Sequence, residues 1–303
     1  MPNKKIAVFL CVVLLLMTGC ANSSGQEKKN ESLRDNTPVV KEVSTPGTQV
    51  LGNDVVDIDV SHSDQGYIVV EYKGKNPKVK IQITTPDQVV YTYDKYSGKE
   101  VFPLTGNNGN YVINIFENIS GTSYSKAYSG QFQVNLENEY ITYLYPNQYV
   151  NFNASTKAIQ KGKELAKDCY NDLDVVENVF DFMVNHIEYD YSKAKNVENG
   201  YIPVVDHVLE EKKGICFDYA ALMATMLRTQ QIPTRLEIGY AGEIYHAWIS
   251  VYTKESGWIE DLIQFDGKNW QLMDPTFLAG KLNDEKARKY VSDKSHYQLK
   301  YKY

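Results

Sequence analysis

From residue 51 to about residue 150 the chain alternates apolar and polar side chains in short runs: VVDIDV, GYIVVEY, KVKIQITT, VVYTYD, NYVINIF and YSGQFQVNL. A period of two puts successive side chains on opposite faces, so each run predicts a strand with one buried face. Between the runs stand Ser63-Asp64-Gln65-Gly66, Thr85-Pro86-Asp87 and Gly106-Asn107-Asn108-Gly109, residues that turn a chain. Strands this short, separated by such turns, predict an antiparallel sandwich over residues 51–150.

At residue 153 the period lengthens. The stretches NASTKAIQKGKELAKDCY and DVVENVFDFMVNHIEY carry apolar residues three and four apart, which predicts two helices. Asp174 and Glu177 give the second a D-x-x-E start of capping-box type. A loop ending in Gly214 leads to a third helix, from residue 216 to about 230, followed by strand-like segments TRLEIGYA, YHAWISVY and NWQLMDP. Helices first and an antiparallel sheet after them make residues 151–303 an α+β domain. The fold class expected is therefore α+β, preceded by an all-β sandwich of Ig-like type.

The N-terminal part belongs to neither. Lys4 and Lys5 precede an apolar run at residues 6–17 and the small-residue stretch Thr18-Gly19-Cys20. The run is shorter than the roughly 20 residues a membrane span requires. It resembles a bacterial lipoprotein signal peptide, which implies removal of residues 1–19, lipid on the Cys20 thiol and an extracytoplasmic protein anchored to the membrane. Residues 20–50 are polar, charged and without a period, and are expected to be a flexible tether.

Composition narrows the function. The net charge is -6, with basic residues scattered along the chain, so no electrostatic footprint for nucleic acid is present. With Cys11 in the signal and Cys20 lipidated, only Cys169 and Cys216 of the four cysteines remain free. Two thiols make no disulfide framework in an oxidising compartment. Cys169 sits beside Leu165 and Ala166 and reads as a partly buried structural thiol.

Cys216 follows Gly214 at the predicted start of the third helix. A thiol there feels the positive end of the helix macrodipole and unpaired N–H groups, which favour a thiolate. Thirty residues on, His246 shares a strand face with Trp248 and Ser250; a further 28 on, Asp274 precedes Pro275. Together they supply a nucleophile, a base to take its proton and a carboxylate to hold the base's tautomer. The other candidates read as structure. Asp218 is a first-turn acid, Arg235 a partner for it or for another buried acid, and His62 a solvated turn residue. His207 could join a metal site, yet no pair at metal-ligand spacing is present, so no metal is expected.

Three blocks, KKGICFDYAALMATMLR followed by IPTR, YHAWISVY, and WQLMDPTF, resemble the transglutaminase-like family in the right order. The resemblance covers roughly residues 153–280. It implies a papain-like cysteine fold in which Cys216 attacks an amide carbonyl, His246 acts as base and then acid, and Asp274 orients His246. The backbone N–H of Cys216 is one natural donor to the oxyanion, and Tyr189 and Tyr191 stand where family members tend to carry aromatics. The thioester would pass to water or to an amine, on a protein or cell-wall peptide, without a cofactor and without calcium. The alternative is a catalytically silent module of the same fold that binds a wall peptide or a partner protein. A wall endopeptidase of the other papain-like type would show an Asp-Cys-Ser start, whereas here Ile215 and Phe217 flank Cys216.

Overall fold

The computed structural model describes residues 32–303 apart from 97, 261–262, 266–269, 273–275, 277–284 and 287–292. The signal segment, Cys20 and Asp274 lie outside the described residues.

Strands β1 (Val50–Asn53), β2 (Val56–Asp59), β3 (Tyr67–Tyr72), β4 (Val79–Thr84), β5 (Val90–Lys95), β6 (Lys99–Pro103), β7 (Gly109–Ser120) and β8 (Ser123–Val134) build two four-stranded antiparallel sheets. Their orders are β1-β2-β3-β6 and β5-β4-β7-β8. Alternation works as expected in β4, where Val79, Ile81 and Ile83 are buried and their neighbours are half-exposed. Tyr93 of one sheet meets Phe102 of the other edge to face at 4.9 Å. Gly66 closes the turn before β3 at φ 81°, and a Cβ there would collide with Thr142, whose hydroxyl donates to the Gly66 carbonyl.

Next come α1 (Lys157–Leu165), α2 (Asp172–His186), β9 (Glu188–Tyr189), α3 (Tyr191–Asn196), α4 (Val205–Glu211), β10 (Lys213–Gly214) and α5 (Cys216–Thr229). The capping box of α2 lies one turn earlier than expected. Asn171 accepts from the N–H groups of Leu173 and Asp174, while the Asp174 carboxylate accepts from the Asn171 N–H. Asp174 is thus the third residue of the box and not its first. Helix α5 is buried on nearly every side, from Tyr219 through Thr229, which makes it the central helix of this part.

Strands β11 (Thr234–Ala241), β12 (Ile244–Thr253), β13 (Gly257–Ile259), β14 (Ile263–Phe265), β15 (Trp270–Leu272) and β16 (Tyr297–Lys302) complete the chain. The main sheet runs β13-β12-β11-β16. Of the segment NWQLMDP, Trp270–Leu272 form β15, which pairs with β14 in a separate ribbon, and the C-terminal strand β16 takes the place beside β11.

Two sequence expectations change here. The period changes near residue 150, yet one continuous core runs through both parts, and residues 33–303 form a single compact unit. Tyr303 lies edge-on to Tyr91, Tyr93 and Tyr149. The buried Arg228 guanidinium ties the parts further, donating to the carbonyls of Tyr145, Thr234 and Tyr303. Burial without an ion pair among the described residues pulls its pKa down to about 9.

The second change concerns the tether, whose described half is docked along the body. Arg34 ion-pairs with Asp172 at 2.6 Å and donates to the Gln230 carbonyl; the Val39 N–H reaches the Thr229 carbonyl at 2.8 Å. Further along, the N–H groups of Ser44 and Gly47 reach Tyr67 and Asp59. A polar segment without periodicity can order when its backbone and side chains find partners at the ends of other elements, here the C-terminal end of α5, whose last carbonyls have no donor within the helix.

The tyrosine core sets an alkaline limit on stability. Burial pushes the hydroxyls of Tyr91, Tyr93, Tyr111, Tyr149 and Tyr303 above the ordinary tyrosine range. The folded state therefore keeps protons that the unfolded chain releases near about pH 10. The stability linked to these groups is whole below about pH 10 and is lost as pH rises through the folded-state values. In an alkaline titration, phenolate absorbance from this set is expected to arise in one cooperative step together with loss of far-UV dichroism. Complete ionisation near about pH 10 with dichroism intact would contradict it.

Candidate active site

Cys216 is the first residue of α5, half-exposed, with Ile215 as the capping residue in extended conformation. Gly214 does not take a positive φ. It must lack a side chain because a Cβ there would come within 2.7 Å of the Asp218 Cβ. The chain reaches Cys216 through a short parallel pairing of β10 with β9, in which Gly214 lies opposite Tyr189.

Asp218 is fully buried, and its carboxylate is held by three donors. It accepts from the Ile215 N–H at 2.8 Å, from the Lys193 ammonium at 2.7 Å and from the Tyr201 hydroxyl. Burial, followed by the bond to Asp218, pushes the Tyr201 hydroxyl far above its usual range. The Lys193 ammonium also lies over the Tyr201 ring at 4.2 Å. One carboxylate thus clamps the loop after α3 to the first turn of α5. Arg235 is not its partner: the guanidinium lies over the Trp258 ring at 3.3 Å and reaches Glu260 at 3.9 Å.

His246 lies on β12 opposite Gly239 of β11, with Trp248 and Ser250 opposite Glu237 and Arg235. It is 3% exposed, and its ring is stacked 6.2 Å from that of Trp248. Cys216 and His246 line one cavity of about 540 Å³. Seven tyrosines contribute to the rest of its wall: Tyr96, Tyr149, Tyr189, Tyr201, Tyr245, Tyr301 and Tyr303. Burial, followed by Tyr301, raises the pKa of the Tyr245 hydroxyl above the ordinary tyrosine value. Sequence reasoning missed this wall. Its signal was the 24 tyrosines in the composition, one of them directly before His246.

Of the expected oxyanion residues, Tyr189 belongs to the cavity wall, whereas Tyr191 does not. Tyr191 is 62% exposed and leans edge-on against Tyr189 at 4.9 Å. Position 191 begins α3, and that turn carries the side chain out of the cavity. The Cys216 N–H lies in the first turn of α5, where intrahelical acceptors are lacking.

Cys169 is buried, receives a bond from Asn178 at 3.2 Å, and has its thiol pKa raised by burial and by Asp174. His207 pairs with Glu211 at 2.9 Å on the exposed side of α4. His62 accepts or donates a bond to Ser44 at 2.8 Å and packs on Tyr67. Among the described residues no group of three His, Cys, Asp or Glu side chains could hold a metal ion.

Over 88 residues the chain is 31% identical to a UPF0252 protein of Methanocaldococcus jannaschii, a match covering 25% of each protein. Over 115 residues it is 29% identical to the uncharacterised protein YebA of Bacillus subtilis, covering 32% of this chain and 16% of YebA. The chain thus spans a quarter or less of the curated relatives it matches. Among solved structures it is similar to a candidate cysteine protease of Cytophaga hutchinsonii, with 16% identity, a TM-score of 0.40, and coverage of 84% of this chain and 74% of that one. It is also similar to red sea bream transglutaminase, with 15% identity, a TM-score of 0.30, and coverage of 69% and 48%. Residues 159–261, which hold Cys216 and His246 and end before Asp274, match the model of the transglutaminase-like superfamily, and this part of the chain is a transglutaminase-like domain.

Proposed function

We propose that the protein is an extracytoplasmic, lipid-anchored cysteine acyl-transfer enzyme acting on amide bonds of proteins or cell-wall peptides. The observation that carries this reading is the meeting of Cys216, at a helix N-terminus, and His246 in one cavity of the transglutaminase-like part. The lipid anchor is supported by the pattern around Cys20, and the Ig-like type of the sandwich by its two four-stranded antiparallel sheets.

The Cys216 thiol gives its proton to His246, and sulfur attacks the amide carbonyl carbon. The oxyanion is met by the Cys216 N–H, with Tyr189 in the adjacent wall. Collapse breaks the C–N bond as His246 returns the proton to the leaving amine. Water, or a second amine, then attacks the thioester with its proton going to His246, and the thiol is restored. Asp274 holds the imidazole in the tautomer that can accept this proton.

The test is iodoacetamide alkylation of the purified full chain, followed by intact mass and peptide mapping. Cys216 is expected to react readily at about pH 6 and to lose that reactivity in His246→Ala, the behaviour of a thiolate–imidazolium pair. Cys169, buried and with its pKa raised, is expected to stay unlabelled. Labelling of Cys216 only above roughly pH 8, as for an ordinary thiol, and indifferent to His246, would leave a silent binding module as the reading.

A further inference from the structure

A second and larger cavity, of about 820 Å³, adjoins the one that holds Cys216. Its walls come from the docked N-terminal segment (Val40, Val43), from β6 and from residues 146–155. Tyr96, at the end of β5, lines both cavities. Its hydroxyl donates to the carbonyl of Gly200, another residue of the Cys216 cavity, at 2.6 Å, which fixes its ring where the two cavities share a wall. The sandwich also sends Thr92 and Asp94 into the Cys216 cavity. These are outward-facing positions of β5, an edge strand of its sheet.

The chemistry of the second cavity suits a polar, uncharged chain with small apolar side groups. Its charges balance, with Lys41 and Lys99 against Glu42 and Glu100. Asn147 Nδ2 and Gln148 Oε1 are a buried donor and a buried acceptor on consecutive residues, and neither has a hydrogen-bond partner among the described residues. Each unmade bond is a cost to the fold that a ligand making it would relieve. A donor beside an acceptor complements the C=O and N–H of a peptide group. Gln148 Nε2 donates to the Asp94 carbonyl and to Glu100, and Asn147 Oδ1 accepts from the N–H groups of Tyr149 and Val150, so a ligand amide reaches the two unpartnered atoms by displacing these bonds.

We infer that the two cavities form one binding groove, in which a polypeptide reacting at Cys216 continues over Tyr96 into the second cavity, held there by Asn147 and Gln148. The sandwich is then a wall of the substrate site and not a spacer. This rests on the acyl-transfer reading for the location of the reacting amide.

The experiment uses chloroacetyl-capped peptides, of one, three and six alanines, as alkylating probes of the full chain. Each rate is divided by that of iodoacetamide on the same variant. Six residues extend to about 20 Å, enough to leave the first cavity. At least a tenfold rise in the normalised rate from one alanine to six is expected. That rise should be lost in Ala154→Trp, which fills the second cavity at an exposed position, and reduced in Tyr96→Ala. A flat length dependence with a reactive Cys216 would overturn the groove while leaving the acyl-transfer reading intact. An unreactive Cys216 would overturn both. Acceleration by a chloroacetyl oligosaccharide and not by peptides would reassign the second cavity to glycans and overturn the peptide inference.

Discussion

Replacing Cys216 by alanine is expected to reduce amide turnover by at least about 10³-fold, because the acyl intermediate of the proposed mechanism forms on its sulfur. The measurement is release of ammonia or new amino groups from a defined peptide mixture. Stability should change little, within about 1 kcal/mol, since the side chain is half-exposed and small. His246→Ala is expected to lose a comparable factor, and the double variant should be no worse than either single one. Residues that act as one unit fail to add in this way. Turnover undiminished in Cys216→Ala would refute the mechanism. An additive double variant would mean that His246 serves something other than the thiol.

Asp218→Ala should give the largest loss of stability among the site residues. The carboxylate is fully buried and holds a backbone N–H, the Lys193 ammonium and the Tyr201 hydroxyl. Removing it strands all three partners at once. Because Lys193 is 30% exposed and can turn to water, the expected cost is about 3 kcal/mol, at the lower end for a broken buried pair. Asp218→Asn keeps an acceptor for the Ile215 N–H and should lose roughly half as much. Denaturant unfolding measures both. The same variants should slow alkylation of Cys216 in the folded state, since the clamp sets the first turn of α5 and the Tyr201 wall. A stability loss under about 1 kcal/mol for Asp218→Ala would mean that the clamp is solvated and its partners rearrange freely.

Much of this site is legible in the amino-acid sequence. The start of α5 can be read there because a glycine, a cysteine and a long apolar helical run follow one another, and helix periodicity is a local property. The same holds for β11 and β12, and for Cys216 and His246 lying on separate elements in that order. Less legible is which of two local signals the fold uses. Both Asn171 and Asp174 stand three residues before an acid, and the box forms at Asn171 because that side chain reaches the N–H groups of Leu173 and Asp174. The role of Gly214 escapes the sequence for a related reason: the constraint is the approach of a side chain four residues on, which no backbone preference announces.

The sequence by itself determined the longer elements, though not α3 and α4 in what reads as a loop before Gly214, and with them the change of period near residue 150, the likeness to transglutaminases and the identity of the candidate nucleophile and base. These depend on neighbours along the chain. Tertiary structure alone decided that β16 and not β15 completes the main sheet, and that residues 34–47 lie docked against the body. It also decided that Tyr96 after β5, Tyr149 before α1 and Tyr301 and Tyr303 at the C-terminus line the cavity of Cys216. Each of those pairings joins residues tens to hundreds of positions apart. Closing a long loop leaves no local trace, because its entropy grows only slowly with length and its reward comes from the contact at the end.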